Sequence, residues 1–153
     1  MWQVFQDFIA NFYRIHYPLA QVRSEQVYWD IDHDSPDKAD LLPRMQTDIV
    51  IREPGRVVVI DAKSYKEALS KHRGGETARS AHLYQIFSYP KNIQPTLPLT
   101  TALGGVLIYP TVTYELNKRY RIQGQSLMVA TVDLGQPWDV IEKRLHAVYE
   151  HAA

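Results

Sequence analysis

The chain has 153 residues, 45% hydrophobic and 22% charged, the size and mix of one ordinary folded domain spanning 1–153. Its formal net charge of zero argues against a histone-like or arm-type nucleic-acid binder, although a local basic patch stays compatible with DNA. The absence of cysteine excludes disulfides, thiolate zinc sites and a cysteine nucleophile, and the six histidines show no metal-ligand spacing.

In chain order, Phe5, Phe8, Ile9 and Phe12 recur at helical spacing, with Trp2 extending the stripe, so residues 2–16 predict an amphipathic helix that Pro18 ends. No apolar run reaches membrane-spanning length and no basic-then-apolar leader opens the chain, which gives a cytoplasmic location as the expectation. Gln21 to Ile31 alternates weakly and predicts one strand. Asp30 to Asp40 then carries five aspartates and one proline; Asp32, His33 and Asp34 match no standard calcium loop, and a solvated acidic loop is expected.

Asp48 to Lys63 is two runs rich in Val and Ile around Pro54-Gly55, which predicts a β-hairpin. Pro pre-sets φ at one turn position and Gly accepts positive φ at the next. A turn centred there sets Glu53 opposite Arg56, Val50 opposite Val59 and Asp48 opposite Asp61. Period-2 alternation adds Lys63 to the face of Asp61. Like charges opposite each other across a strand pair are unfavourable, so two carboxylates placed there suggest a cation, and oxygen ligands without sulfur suit Mg²⁺ or Mn²⁺. A lysine beside such an ion can orient a water and stabilise charge growing on a phosphate. The bland alternative is the charged end of an ordinary strand.

From Lys63 through His82 there are five lysines or arginines (63, 66, 71, 73 and 79) against two acids, an excess that suits a phosphate backbone. Lys66, Lys71, Arg73, Arg79 and His82 are therefore the candidate DNA contacts, with Gly74-Gly75 in a loop that could order on DNA. A helix should start near Thr77 or Ser80, with Leu83, Ile86 and Phe87 on its apolar stripe and His82, Gln85 and Tyr89 aligned on another face. Pro90 is expected to disrupt it, and Asn92 to Thr101 to form a loop. Strands are expected at Gly105–Tyr109, Tyr114–Ile122 and Ser126–Val132, with a tight turn at Gly124. Pro137 then opens a closing helix with Trp138, Ile141, Leu145 and Val148 as its buried stripe. This order predicts an α/β fold, a mixed sheet flanked by helices.

An Asp on one strand followed by Asp61-Ala62-Lys63 at the end of the next resembles the PD-(D/E)xK nuclease signature, and Gln85 to Tyr89 resembles the QxxxY element of its RecB-type branch. The segments WQVFQDFIANFYR, LLPRMQTDIVI, VVVIDAKSYKEAL, SAHLYQIFSYPKN and GGVLIYPTV are similar, in order, to the nuclease part of McrC, the cleavage subunit of McrBC-type modification-dependent (5-methylcytosine) restriction systems. The resemblance implies a restriction-endonuclease-like core and divalent-metal-dependent hydrolysis of DNA. Asp48, Asp61, Lys63, Gln85 and Tyr89 would form the catalytic set. Asp48, Asp61 and the Ala62 carbonyl would hold the ion, and Lys63 would position the attacking water. It also implies a GTP-hydrolysing McrB-like partner, since the chain itself lacks a GxxxxGK[ST] loop. McrC relatives carry a further N-terminal part that engages that partner; this chain opens directly at the nuclease helix and reads as the isolated nuclease domain.

One position departs from the pattern: where the opening helix of such nucleases carries a glutamate leaning into the site, this chain has Gln6, followed by Asp7. That departure hints at one alternative to the restriction nuclease, a non-catalytic nuclease fold that binds DNA or a partner, although the intact Asp48, Asp61, Lys63, Gln85 and Tyr89 argue against it; a freestanding repair nuclease is the other alternative.

Overall fold

The computed structural model describes residues 2–64, 70–72, 75–77, 80–111 and 115–153. Six strands make a mixed sheet in the order β1 (Gln21–Arg23), β4 (Ile49–Glu53), β5 (Arg56–Ala62), β8 (Ala102–Thr111), β10 (Gln125–Asp133) and β9 (Asn117–Ile122). The β5–β8 and β8–β10 pairs are parallel and the other three antiparallel. Two further antiparallel pairs form separate two-stranded sheets, β2 (Gln26–Val27) with β3 (Met45–Gln46) and β6 (Ser70–His72) with β7 (Gly75–Thr77).

Helices α1 (Trp2–His16) and α3 (Trp138–Glu150) share one core with Ile49, Ile51, Val58, Ile60 and Val106; α2 (Ser80–Ile93) shares the other with Val50, Val57, Val59 and Leu107. Alternate residues of each central strand thus enter different cores. Both faces are covered, and that is why these strands are apolar almost throughout.

The β4–β5 hairpin turns at Pro54-Gly55, with Gly55 at φ +76°, and pairs Glu53 with Arg56 and Val50 with Val59 as the turn residues imply. The β9–β10 hairpin turns at Gln123 and Gly124, both at positive φ, the conformation that matches the twist of the flanking strands.

Four expectations are corrected. The single strand over Gln21 to Ile31 is two short ones: the Glu25 amide donates to Thr47 Oγ1 (2.9 Å) and the Glu25 carboxylate takes both Arg52 Nε and Nη2 (2.9 and 2.8 Å), drawing the chain off the sheet edge. Pro90 does not break α2, which continues to Ile93. The proline costs only a late bond, and side chains reinforce the carbonyls around it: Ser88 Oγ donates to Tyr84 O (2.7 Å) and Asn92 Nδ2 to Ser88 O (2.9 Å). The loop expected from Asn92 accordingly starts later, after a 3₁₀ turn at Gln94–Thr96. Trp138 is 52% exposed, its ring meeting Phe8 and Phe12 edge-on at the rim, while Ile141, Leu145 and Val148 are buried as expected.

The acidic stretch 31–40 is exposed throughout, the solvated segment its charge demands. Of the strand expected over Tyr114–Ile122, Tyr114 lies outside the described residues, and β9 starts at Asn117. No helix among the described residues is long and apolar enough to cross a membrane.

Candidate active site

The hairpin register, carried one step beyond Ile49–Ile60, sets Asp48 against Asp61 on the α2 side of the sheet. Asp61 is only 1% exposed. Its Oδ1 lies 2.9 Å from Lys63 Nζ, which also donates to Gln85 Oε1 at 2.9 Å. Gln85 Nε2 donates to Tyr89 Oη (2.6 Å), and Tyr89 Oη donates to the Gln46 carbonyl (2.9 Å). Lys63, Gln85 and Tyr89 thus form one directional chain of hydrogen bonds from the hairpin, through α2, to the strand entering the hairpin.

Each element supplies its part for a local reason. Gln85 and Tyr89 are four residues apart on α2, one turn, so their side chains meet. Lys63 follows β5 directly, and its amide donates to Ile108 O (3.0 Å), which prolongs the β5–β8 pairing and fixes where the side chain leaves. Asp48 Oδ2 accepts the Ala62 amide hydrogen at 3.0 Å, so the residue between Asp61 and Lys63 is pinned by the opposing carboxylate.

The electrostatics are unbalanced. Burial first, then a hydrogen bond to Asp61 that favours the protonated form, then the Asp61 charge, push the Asp48 carboxyl up to about 7, against the pull of the Ala62 amide and Lys63. Burial also lifts the Tyr89 phenol to about 12, and the two aspartates add to that. With Asp48 ionised, buried Asp61 Oδ2 has no hydrogen-bond donor among the described residues. A buried orphaned carboxylate oxygen is costly. A divalent ion would satisfy that oxygen and reverse the repulsion that burdens Asp48. The donor set, oxygens only, fits a hard cation.

All five residues expected to act together are therefore side by side. Lys66, Arg73, Arg79 and the side chain of Lys71 lie outside the described residues, although the Lys71 backbone pairs with Glu76 in the β6–β7 hairpin. His82 is buried, its Nδ1 2.9 Å from Tyr109 Oη, so it faces the core of the α2 side. Asp7 lies on the exposed face of α1 and accepts from Gln3 Nε2 (3.0 Å), whereas Gln6 holds a buried Oε1 with no partner among the described residues. The Gln46 carbonyl that ends the hydrogen-bond chain has no sequence signal, because any residue there supplies the same backbone oxygen.

The family described as McrBC 5-methylcytosine restriction system component matches residues 1–110, a span that includes all five site residues. A relative from Escherichia coli (strain K12), the type IV methyl-directed restriction enzyme EcoKMcrBC, is 35% identical over 147 residues, which is 96% of this chain and 42% of the relative. The chain therefore spans less than half the length of that relative.

Proposed function

The chain belongs to the family of McrBC 5-methylcytosine restriction system components, and from that premise we propose that it is the nuclease part of an McrC-like subunit, hydrolysing phosphodiester bonds of DNA with Mg²⁺ or Mn²⁺. The observation that carries the proposal is the facing pair of half-buried Asp48 and buried Asp61 beside Lys63, with Asp61 Oδ2 lacking a donor among the described residues when Asp48 is ionised. Asp48, Asp61 and the Ala62 carbonyl are the residues that would hold the ion. When bound, it supplies Lewis acidity and a more acidic water.

The remaining roles fall to the protein. Lys63 is held at a defined point by Asp61 and Gln85, and its ammonium orients the attacking water and stabilises charge growing on the phosphate. Gln85 keeps Lys63 turned toward the site, and Tyr89 fixes the Gln85 amide so that its oxygen faces the lysine. On this reading the sheet and helices are a restriction-endonuclease-like core. The basic segment 63–79 tracks the DNA backbone, and a GTP-hydrolysing McrB-like partner in the cytoplasm directs cleavage to modified sites.

Gln6 in place of a glutamate favours a second reading, a nuclease fold retained for binding alone. Plasmid cleavage with Mg²⁺ or Mn²⁺, with and without an McrB-type partner and GTP, separates the two. The parent should cut and Asp61→Ala should not, with circular dichroism unchanged. A parent that never cuts but still binds DNA would support the binding reading, and an Asp61→Ala variant as active as the parent would overturn the site.

A further inference from the structure

On the opposite side of the sheet, the last residue of α1 and two residues one turn apart on α3 converge. His16 Nδ1 lies 3.5 Å from Glu142 Oε1, and His146 Nε2 lies 4.0 Å from the same oxygen. The three donor atoms all fall within 4.8 Å of one another, the one such group of three His, Asp or Glu side chains among the described residues. We propose that His16, Glu142 and His146 form a binding site for a transition-metal ion of the Zn²⁺ class, separate from the nuclease centre.

The spacing fits. Ligands about 2.0–2.1 Å from a tetrahedral Zn²⁺ sit about 3.3–3.4 Å apart, so closing the set needs side-chain shifts of under about 1 Å. The chemistry fits too: two imidazoles and one carboxylate suit zinc and its neighbours, whereas Mg²⁺ and Ca²⁺ prefer oxygen throughout. Side-chain exposures of 24% for His16, 35% for Glu142 and 31% for His146 leave the group accessible to an ion from solvent.

The surroundings are those of a supported site. His146 Nδ1 lies 2.7 Å from Tyr17 Oη, so with the ion on Nε2 the proton sits on Nδ1 and is donated to the tyrosine oxygen, the outer contact that fixes a ligating histidine. Phe12 stacks on the His16 ring (4.3 Å between centroids) and meets His146 edge-on (5.2 Å), which holds both rings in place. Glu142 has no lysine or arginine within ion-pair distance among the described residues; its only such neighbours are the two imidazoles. An occupied site would cross-link the end of α1 to α3, two helices already joined by the hydrogen bond from Tyr13 Oη to Leu145 O (2.9 Å).

The test uses Asp61→Asn as background, so that the nuclease centre cannot account for metal binding. Zn²⁺ at about 100 times its dissociation constant should raise the melting temperature by about 5–10 °C, and Co²⁺ should give the visible absorption of a tetrahedral complex. Mg²⁺ at the same concentration should do neither. His146→Ala and Glu142→Gln should each weaken Zn²⁺ binding at least about tenfold by isothermal titration. Their melting temperatures in chelator show whether the fold itself is intact, and Glu142→Gln, which keeps shape and size, covers the case in which the histidine variant does not fold. No Zn²⁺ binding in the Asp61→Asn protein, or equal binding by the parent and Glu142→Gln, would overturn the proposal.

Discussion

Asp48 reaches across the hairpin to accept the Ala62 amide hydrogen at 3.0 Å, and this one contact ties a carboxyl near neutrality to the backbone between Asp61 and Lys63. The electrostatic behaviour of the site follows from that position.

Asp48 titrates at about 7 in the folded chain against an ordinary 3.8, raised by burial first and by Asp61 second. A raised carboxyl means that the fold prefers the protonated form. Its stabilising contribution is complete below about pH 4 and is lost as pH rises through 7. In chelator the melting temperature of the parent should therefore fall between pH 5 and pH 8 relative to Asp48→Asn, whose amide still accepts from Ala62 but does not titrate. Thermal melts of both proteins across that range check it. Parallel curves would mean that another group sets the slope.

Lys63 has two acceptors, and only one of them is charged. Gln85→Leu removes the neutral one, so cleavage should drop by about ten- to a hundredfold, the worth of a 1.5–3 kcal/mol hydrogen bond to a charged group. Tyr89→Phe leaves Gln85 in place but strips partners from both the Gln85 amide and the Gln46 carbonyl. Its larger effect should be on stability, a loss of about 1–3 kcal/mol. Single-turnover cleavage alongside thermal melts would show this contrast. An equal effect of the two variants on both readouts would break the link between them.

The hairpin and the face that bears Asp48, Asp61 and Lys63 were readable because a Pro-Gly turn and period-2 alternation are local rules. Gln85 and Tyr89 were readable through their helical spacing and the family pattern. The break at Ser24 and Glu25 was not, because its causes, Thr47 and Arg52, are remote in sequence. The group of His16, Glu142 and His146 has the same origin: only the packing of α1 on α3 makes the ends of the chain neighbours. His82 aligned with Gln85 and Tyr89 on a helical wheel, yet the β8 residue Tyr109 claims its ring.

Gly104 carries a packing constraint that no turn requires. A Cβ there would overlap the Ala152 carbonyl oxygen and lie 2.7 Å from its carbon, so the glycine lets the chain after α3 rest on β8. Gly104→Ala should cost about 1–3 kcal/mol, or roughly 2–12 °C in melting temperature. The penalty should largely vanish in a chain ending at residue 151. A penalty of the same size in both would place the conflict elsewhere.

Asp61→Asn tests the charge arrangement as a whole, and its effect on stability should depend on pH. At pH 8 the parent holds two carboxylates against one ammonium, and the variant holds one of each, so removing Asp61's charge relieves Asp48 by about 0.2–1 kcal/mol, the scale of a cross-strand like-charge pair. In chelator the variant should then melt at the parent's temperature or up to about 4 °C above it. At pH 5 Asp48 is protonated in the parent, and Asp61 is the carboxylate that compensates Lys63. The variant loses that partner and should melt lower. The difference, variant minus parent, must therefore rise from pH 5 to pH 8. Millimolar Mg²⁺ or Mn²⁺ should raise the parent's melting temperature, because an ion that binds only the folded chain stabilises it by mass action. The variant should lose most of that response. A difference that stays flat or falls with pH would mean that Asp48 and Asp61 do not repel each other, and an unchanged metal response would place the ion away from the hairpin.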